Sequence, residues 1–209
     1  MGSRETLYTI VNLTKKQKAV LVGTILGDGF LQKTGAKNAR LRLEHGHAQK
    51  EYLLWKAKVF PRLFQGNPKY LEREHPHSKK IYKYWRYQSN TTPEFGAWRR
   101  LFYPDGKKHI PESLSDILTN PLSLAVWYMD DGYFYARDEN SYLYLGKVSE
   151  REANIASRAL YKNFDVLAKV YDKKEKGYAL FFSVHETKKL HDVVRPFVLS
   201  LFDYKLGRK

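Results

Sequence analysis

The sequence predicts an α+β protein built from two pseudo-symmetric αββαββα halves packed through one helix from each. Two observations carry this: a short motif occurs twice, and the same order of elements follows each copy. The first copy is Leu21-Val-Gly-Thr-Ile-Leu-Gly-Asp-Gly29 and the second is Leu124-Ala-Val-Trp-Tyr-Met-Asp-Asp-Gly132. Both place apolar residues at i, i+1, i+4 and i+5, the spacing of a buried helix, and both end in Asp-Gly followed by aromatics. Asp28 and Asp131 lie 103 positions apart in a chain of 209 residues, the period of a duplicated domain rather than of a solenoid.

After the first motif come alternating runs at 30–33 and 39–45, joined by the turn-prone segment 34–38. In the second run Arg40, Arg42 and Glu44 share one face, and Leu41 and Leu43 the other. Residues 48–64 read as an amphipathic helix with Tyr52, Trp55, Val59 and Leu63 on one stripe. Strands follow at 69–74 and 80–88, then a helix at 91–102 with Pro93 and Glu94 in its first turn. The second half gives strands at 132–137 and 141–148 around the turn 138–140. A helix opened by a Ser149/Glu152 capping box runs to about residue 164. Strands at 168–172 and 178–184 flank a turn at Lys176-Gly177, and a last helix covers 186–201. The expected division is a half-domain at 1–104, a linker at 105–120 with a short helix opened by Pro111, and a half-domain at 121–209. The second half opens with Asn120 as N-cap and Pro121 at N1.

The hydrophobic fraction of 43%, with no long polar tract, predicts that the whole chain folds. The absence of cysteine excludes disulfides and thiolate metal sites. No apolar run reaches membrane-spanning length, and Met1 to Ile10 lack a signal-peptide core. The expectation is a soluble intracellular protein, in the cytoplasm or nucleoid of a prokaryote or in an organelle matrix. A net charge of +15 repels itself in a compact fold, so nucleic acid is the leading partner; the alternative is a generally basic protein. Tyr82, Tyr84, Trp85, Arg86 and Tyr87 interleave aromatics with a cation, in keeping with contacts to sugar and phosphate.

A single Asp-Gly after an apolar run reads as a turn, with Gly29 and Gly132 supplying positive φ. Two copies at matching positions suggest more. A carboxylate at a helix C-terminus faces the negative end of the helix dipole, at a cost of about 0.3–1 kcal/mol. The small residues Gly23 and Ala125 would let the two helices approach closely and bring Asp28 and Asp131 together, where like charges disfavour ionisation. Cations would relieve that arrangement, and paired carboxylates in a basic surround suit Mg²⁺.

At these residues the chain resembles the LAGLIDADG homing endonucleases, in the single-chain, two-motif branch encoded in group I introns. The match lies at Leu21, Gly23, Ile25, Asp28 and Gly29, and at Leu124, Ala125, Asp131 and Gly132. The stretch from Lys108-His-Ile-Pro111 to Gly132 is similar to that branch's domain junction. The resemblance implies two antiparallel sheets forming a saddle over the DNA major groove, and cleavage of both strands at a long site by a monomer. It implies Asp28 and Asp131 as metal-binding catalytic residues, with Gly27 and Asp130 beside them. Lys108 and Lys205 are implied as catalytic lysines that orient water or stabilise the phosphate. Two or more Mg²⁺ ions are implied, with Mn²⁺ as a substitute and Ca²⁺ supporting binding without cleavage.

DNA contacts are expected from Arg40, Arg42, Tyr82, Tyr84, Arg86 and Gln88 in the first half, and from Tyr135, Arg137, Lys147, Lys173 and Lys174 in the second. Alternation leaves the face of strand 80–88 undecided between Tyr82, Tyr84, Arg86 and Gln88 on one side and Lys83, Trp85 and Tyr87 on the other; the arginine and glutamine favour the first set. Where the family often has a glutamine in the second strand of each half, Arg42 and Gly146 are assigned here. His45-Gly-His47 and His75-Pro-His77 are expected to meet DNA backbone or solvent rather than zinc. Two rival activities share the fold: an RNA maturase acting on intron RNA, and a non-catalytic DNA-binding regulator.

Overall fold

Thr14 opens the first helix with a capping box closed by Gln17. From Ala19 to Leu26 every residue of α1 (Lys15–Leu26) is then buried. The second motif behaves alike: Asn120 caps α5 (Pro121–Asp131), Pro121 occupies its first turn, and Leu122 to Met129 are all buried. The two helices pack on each other along the centre of the molecule. The computed structural model describes residues 13–207, so the N-terminal segment 1–10 read above lies outside it. No helix among the described residues is long and apolar enough to cross a membrane.

Each motif helix leads into a four-stranded antiparallel sheet. In the first, β1 (Phe30–Lys33), β2 (Ala39–Gly46), β3 (Lys69–Glu74) and β4 (Ile81–Gln88) stand in the order β1-β2-β4-β3. In the second, β5 (Gly132–Tyr135), β6 (Asn140–Gly146), β7 (Lys169–Asp172) and β8 (Tyr178–Phe182) stand in the order β5-β6-β8-β7. Helices α2 (Lys50–Lys58) and α3 (Pro93–Phe102) cover one face of the first sheet, and α6 (Glu150–Phe164) and α7 (Val184–Val194) one face of the second. A short α4 (Leu114–Ile117) lies between the halves and packs on α6. The predicted Ser149/Glu152 capping box starts α6.

Two helices are shorter than their periodicity suggests, because of proline. α2 stops at Lys58 rather than 64, and α7 at Val194 rather than 201. Pro61 and Pro196 lack the N–H that the next turn needs. The chain resumes as a 3-10 turn at Ser200–Leu206.

The motif glycines act differently from the expectation. Gly132 has φ −75°, and neither it nor Gly29 adopts positive φ. Both positions need glycine for space. A Cβ at Gly29 would stand 2.6 Å from the Thr24 carbonyl oxygen, and one at Gly132 would overlap the Tyr128 ring and carbonyl. Gly23 serves the seam between the helices, since a Cβ there would lie on the Ser123 carbonyl and 2.7 Å from Val126 Cβ.

Gly23→Ala should therefore push α1 and α5 apart and cost about 1–3 kcal/mol in urea unfolding, the usual scale of overpacking. Gly35→Ala is the control. Its nearest neighbour, Asn38 Cβ, is 4.0 Å away, so its effect should stay within about 0.5 kcal/mol. Equal losses at the two positions would show that the seam is not closely packed.

Candidate active site at the paired helix ends

Two lysines meet the two helix ends in the same way. Lys108 Nζ donates to the Leu26 and Gly27 carbonyls at the end of α1. Lys205 Nζ donates to the Met129 carbonyl at 2.6 Å and the Asp130 carbonyl at 3.1 Å at the end of α5. Leu26 and Gly27 correspond to Met129 and Asp130 in the repeat. A cation at a helix C-terminus is favoured by the dipole and satisfies carbonyls that have no partner inside the helix. Burial pulls both amines below the ordinary lysine range, while Asp28, Asp130 and Asp131 pull the other way.

The aspartates share this space. Burial, then Asp28 and Asp130, push the Asp131 carboxyl up to about 8 against the opposing pull of Lys108 and Lys205. Burial and then Asp130 raise Asp28 as well. Such shifts mark carboxylates held where charge is poorly compensated, which is what a divalent cation would supply. Oxygen or nitrogen atoms of Asp28, His45 and Asp130 lie within 4.8 Å of one another, a grouping able to hold a metal ion.

Asp130 has the most constrained side chain of the three. It is fully buried and both its oxygens take a hydrogen bond from Lys56 Nζ at 2.8 Å. Asp130 Oδ2 also accepts the Asp28 backbone N–H at 3.1 Å. Lys56 is wholly buried as well, with Nζ 3.2 Å from His45 Nε2 and 4.4 Å from the Tyr52 ring centroid. His45 is 4% exposed, so it meets neither DNA backbone nor solvent, contrary to expectation. β2 turns it to the helix-covered face, where burial and then Lys56 hold it down to about 4. The imidazole is therefore neutral where its Nδ1 comes 3.8 Å from Asp28 Oδ2.

Sequence reasoning missed Lys56. The available signal was a lysine four residues after Tyr52, on the buried side of an otherwise apolar stripe.

The open faces of the sheets hold most of the remaining candidates. Gln88 pairs with Arg42, Arg86 with Glu44 and Tyr84 with Gly46, so the arginine-bearing side of β4 shares the open face with Arg40 and Arg42. Tyr82 lies on the same side, while Tyr87 is buried and Trp85 packs against the core. In the second sheet Tyr135 lies on the open face. Lys173 hangs over it with Nζ 4.0 Å from the Tyr142 ring centroid. Arg137 and Lys147 fall in turns at the rim because β5 and β6 end sooner than expected, and Lys174 lies in the turn after β7; Arg137 pairs with Asp138 at 2.9 Å. Arg42 and Gly146 are not counterparts, as they were read to be. Arg42 faces Phe30 and Tyr142 faces Tyr133, so Tyr142 is the counterpart of Arg42, and Gly146 lies beside a register shift.

Two predictions follow from the buried charges. Lys56→Met strands the Asp130 carboxylate and should cost about 3–5 kcal/mol in unfolding experiments. The double variant Lys56→Met/Asp130→Leu should regain much of that, and a harmless single variant would refute the pairing. The second prediction concerns pH. Asp28 and Asp131 hold their protons more tightly folded than unfolded. The stability so gained is fully present below their ordinary value of 3.8 and is lost as pH rises through the folded value, about 8 for Asp131. His45 and His191, both lowered to about 4 by burial, act oppositely, and their effect ends by pH 6.5. Without divalent ions the melting temperature should fall between pH 6.5 and 8, and fall less in Asp131→Asn. Identical slopes for the two proteins would contradict this.

The sequence pattern of the LAGLIDADG DNA endonuclease family matches residues 18–190. The homing endonuclease I-WcaI bound to its DNA recognition sequence superposes with a TM-score of 0.85 at 25% identity, covering 94% of this chain and 88% of that one. Protein RecA of Mycobacterium shimoidei is 30% identical over 93% of this chain and 47% of its own length. The chain thus spans about half the length of such curated relatives. The cytochrome b mRNA maturase bI2 of Debaryomyces hansenii is 32% identical over 57% of this chain and 47% of its own length.

Proposed function

The chain belongs to the LAGLIDADG DNA endonuclease family, and we propose that it is a metal-dependent homing endonuclease that hydrolyses both strands of double-stranded DNA at a long, specific site. The observation that carries this reading is the symmetric pair of helix ends, each with an aspartate and a lysine: Asp28 with Lys108, and Asp131 with Lys205. The likeness to a DNA-bound homing endonuclease over most of both chains supports it.

Asp28 and Asp131 would hold two or more Mg²⁺ ions, with Gly27 and Asp130 beside them; Mn²⁺ would substitute, and Ca²⁺ would support binding alone. Hard oxygen donors on two mutually repelling carboxylates fit such ions. Bound there, the ions would activate water and stabilise the leaving oxygen. The chain's own residues supply the rest. Lys108 and Lys205 add positive charge where a pentavalent phosphate would carry negative charge. Arg40, Arg42, Tyr82, Tyr84, Arg86 and Gln88 would meet base edges. Tyr135, Arg137, Lys147, Lys173 and Lys174 would hold the other half-site, and the +15 net charge favours the polyanion. Residues 1–104 and 121–209, joined by 105–120, would each bring one carboxylate, so one chain would suffice for both strands.

The similarity to a maturase favours a second activity, assistance to intron RNA splicing, on the same fold. A purely regulatory role fits less well, because a fold that only bound DNA would gain nothing from two strained carboxylates.

Asp28→Asn and Asp131→Asn should each lower Mg²⁺-dependent cleavage by about 10²-fold or more, while the melting temperature holds or rises as like-charge repulsion is relieved. Binding to the selected site in Ca²⁺ should survive. Cleavage at parental rates by both variants would refute the assignment. Unfolding of both would make the aspartates structural and move the maturase reading ahead.

A further inference from the structure

The two open sheet faces repeat in backbone and differ in chemistry. On the first, polar groups form a continuous lattice. Arg40 Nε donates to Gln32 Oε1 at 3.1 Å and Gln88 to the same oxygen at 3.4 Å. Arg42 pairs with Glu44 at 2.8 Å, and Arg86 pairs with Glu44 as well. The equivalent field on the second sheet is aromatic. Around Tyr142 stand Tyr135, Tyr144, Tyr171 and Phe181, with ring centroids at 5.4, 6.1, 6.2 and 5.1 Å, and Tyr133 packs on Tyr135 at 4.5 Å. The strand residues of that face include no arginine, glutamine or glutamate; its polar members are Asn140, whose Oδ1 is buried, and Lys169 on the edge strand β7.

These surfaces cannot read DNA alike. Arginine and glutamine recognise guanine and adenine through paired hydrogen bonds to purine edges, including N7. Rings make apolar contact with the 5-methyl group of thymine, which the major groove exposes. Stacking on unpaired bases is disfavoured here. Tyr135 and Tyr171 meet Tyr142 edge to face at 73° and 85°, Tyr144 already lies parallel to it at 19°, and Lys173 covers it, so the Tyr142 ring offers no open face to a base. Lys147 and Lys174 in the flanking turns, and Lys169 on the edge strand, are exposed and suit the phosphates of a duplex.

The geometry points to a division of labour, resting on the endonuclease reading: the first sheet reads its half-site through purine hydrogen bonds, and the second reads its own through thymine methyl groups. The half-site under the second sheet is then thymine-rich, and it discriminates by the methyl group rather than by hydrogen-bond pattern.

The test begins with a duplex site selected by the full chain from a randomised library in Mg²⁺. The chain has no cysteine, so Glu175→Cys, exposed in the turn between β7 and β8, gives a unique point for a tethered DNA-cleaving reagent that identifies the half-site beneath the second sheet. Thymine is then replaced by uracil, and purines by 7-deazapurines, in one half-site at a time, and binding is measured in Ca²⁺. Uracil under the second sheet should weaken binding about fourfold per contacted methyl group and have little effect under the first. Deazapurines under the first sheet should cost about tenfold per contacted base and have little effect under the second. Equal sensitivity of both halves, or a second half-site without thymine, overturns the inference while leaving the endonuclease reading intact. Failure to select any duplex site overturns both.

Discussion

Everything at the centre of this molecule depends on how closely α1 and α5 approach. Gly23 makes that approach possible: a Cβ there would lie on the Ser123 carbonyl. Two buried helices so joined bring their C-termini together, and with them two dipole ends of the same sign and the carboxylates of Asp28 and Asp131. An arrangement of this kind is costly unless positive charge is brought to it. The fold brings three lysines. Lys108 and Lys205 satisfy the terminal carbonyls, and Lys56 neutralises Asp130. Among the described residues no lysine or arginine forms an ion pair with Asp28 or Asp131, and both remain raised in pKa. The residual deficit of positive charge thus lies at the two residues for which a cation is proposed.

The pair is symmetric in its backbone and asymmetric in its side chains. Gly27 and Asp130 hold the same motif position, yet the Asp130 carboxylate fills the space where a Cβ on Gly27 would stand. That carboxylate reaches across the seam to accept the Asp28 N–H and to bind Lys56 from α2. The first half is therefore braced by a residue of the second, with no reciprocal contact from Gly27, which has no side chain.

Much of this architecture was legible in the sequence because its signals are local. The repeated motif, the Ser149/Glu152 capping box, Asn120-Pro121, and the alternation that puts Arg86 and Gln88 beside Arg42 all act within a few residues or one strand pair. What escaped was set by packing between distant segments. Lys56 pairs with a residue 74 positions away. The role of Gly132 depends on the Tyr128 ring and not on a turn angle. His45 was grouped with His47 as surface, although it continues the Leu41 and Leu43 face, which β2 turns under α2 toward Tyr52, at 4.8 Å between ring centroids. Helix periodicity overran Pro61 and Pro196 because the apolar stripe continues beyond them without helical backbone.

The placement of the two lysines also bears on what the repeating unit is. Lys108 follows α3 and Lys205 follows α7, the last helix of each half. In both halves the chain leaves that helix, turns back, and puts an ammonium group on the last carbonyls of its own motif helix. The segment 105–120 was read as a connection, yet Lys108 within it does for α1 what Lys205 in the C-terminal 3-10 turn does for α5. The unit that was duplicated is then best described as αββαββα with a returning tail, and the tail is required by electrostatics. A motif helix that ends in a carboxylate beside a second such helix end draws its cation from outside itself, because a lysine within its own last turn would have to share the seam that Gly23 keeps closed.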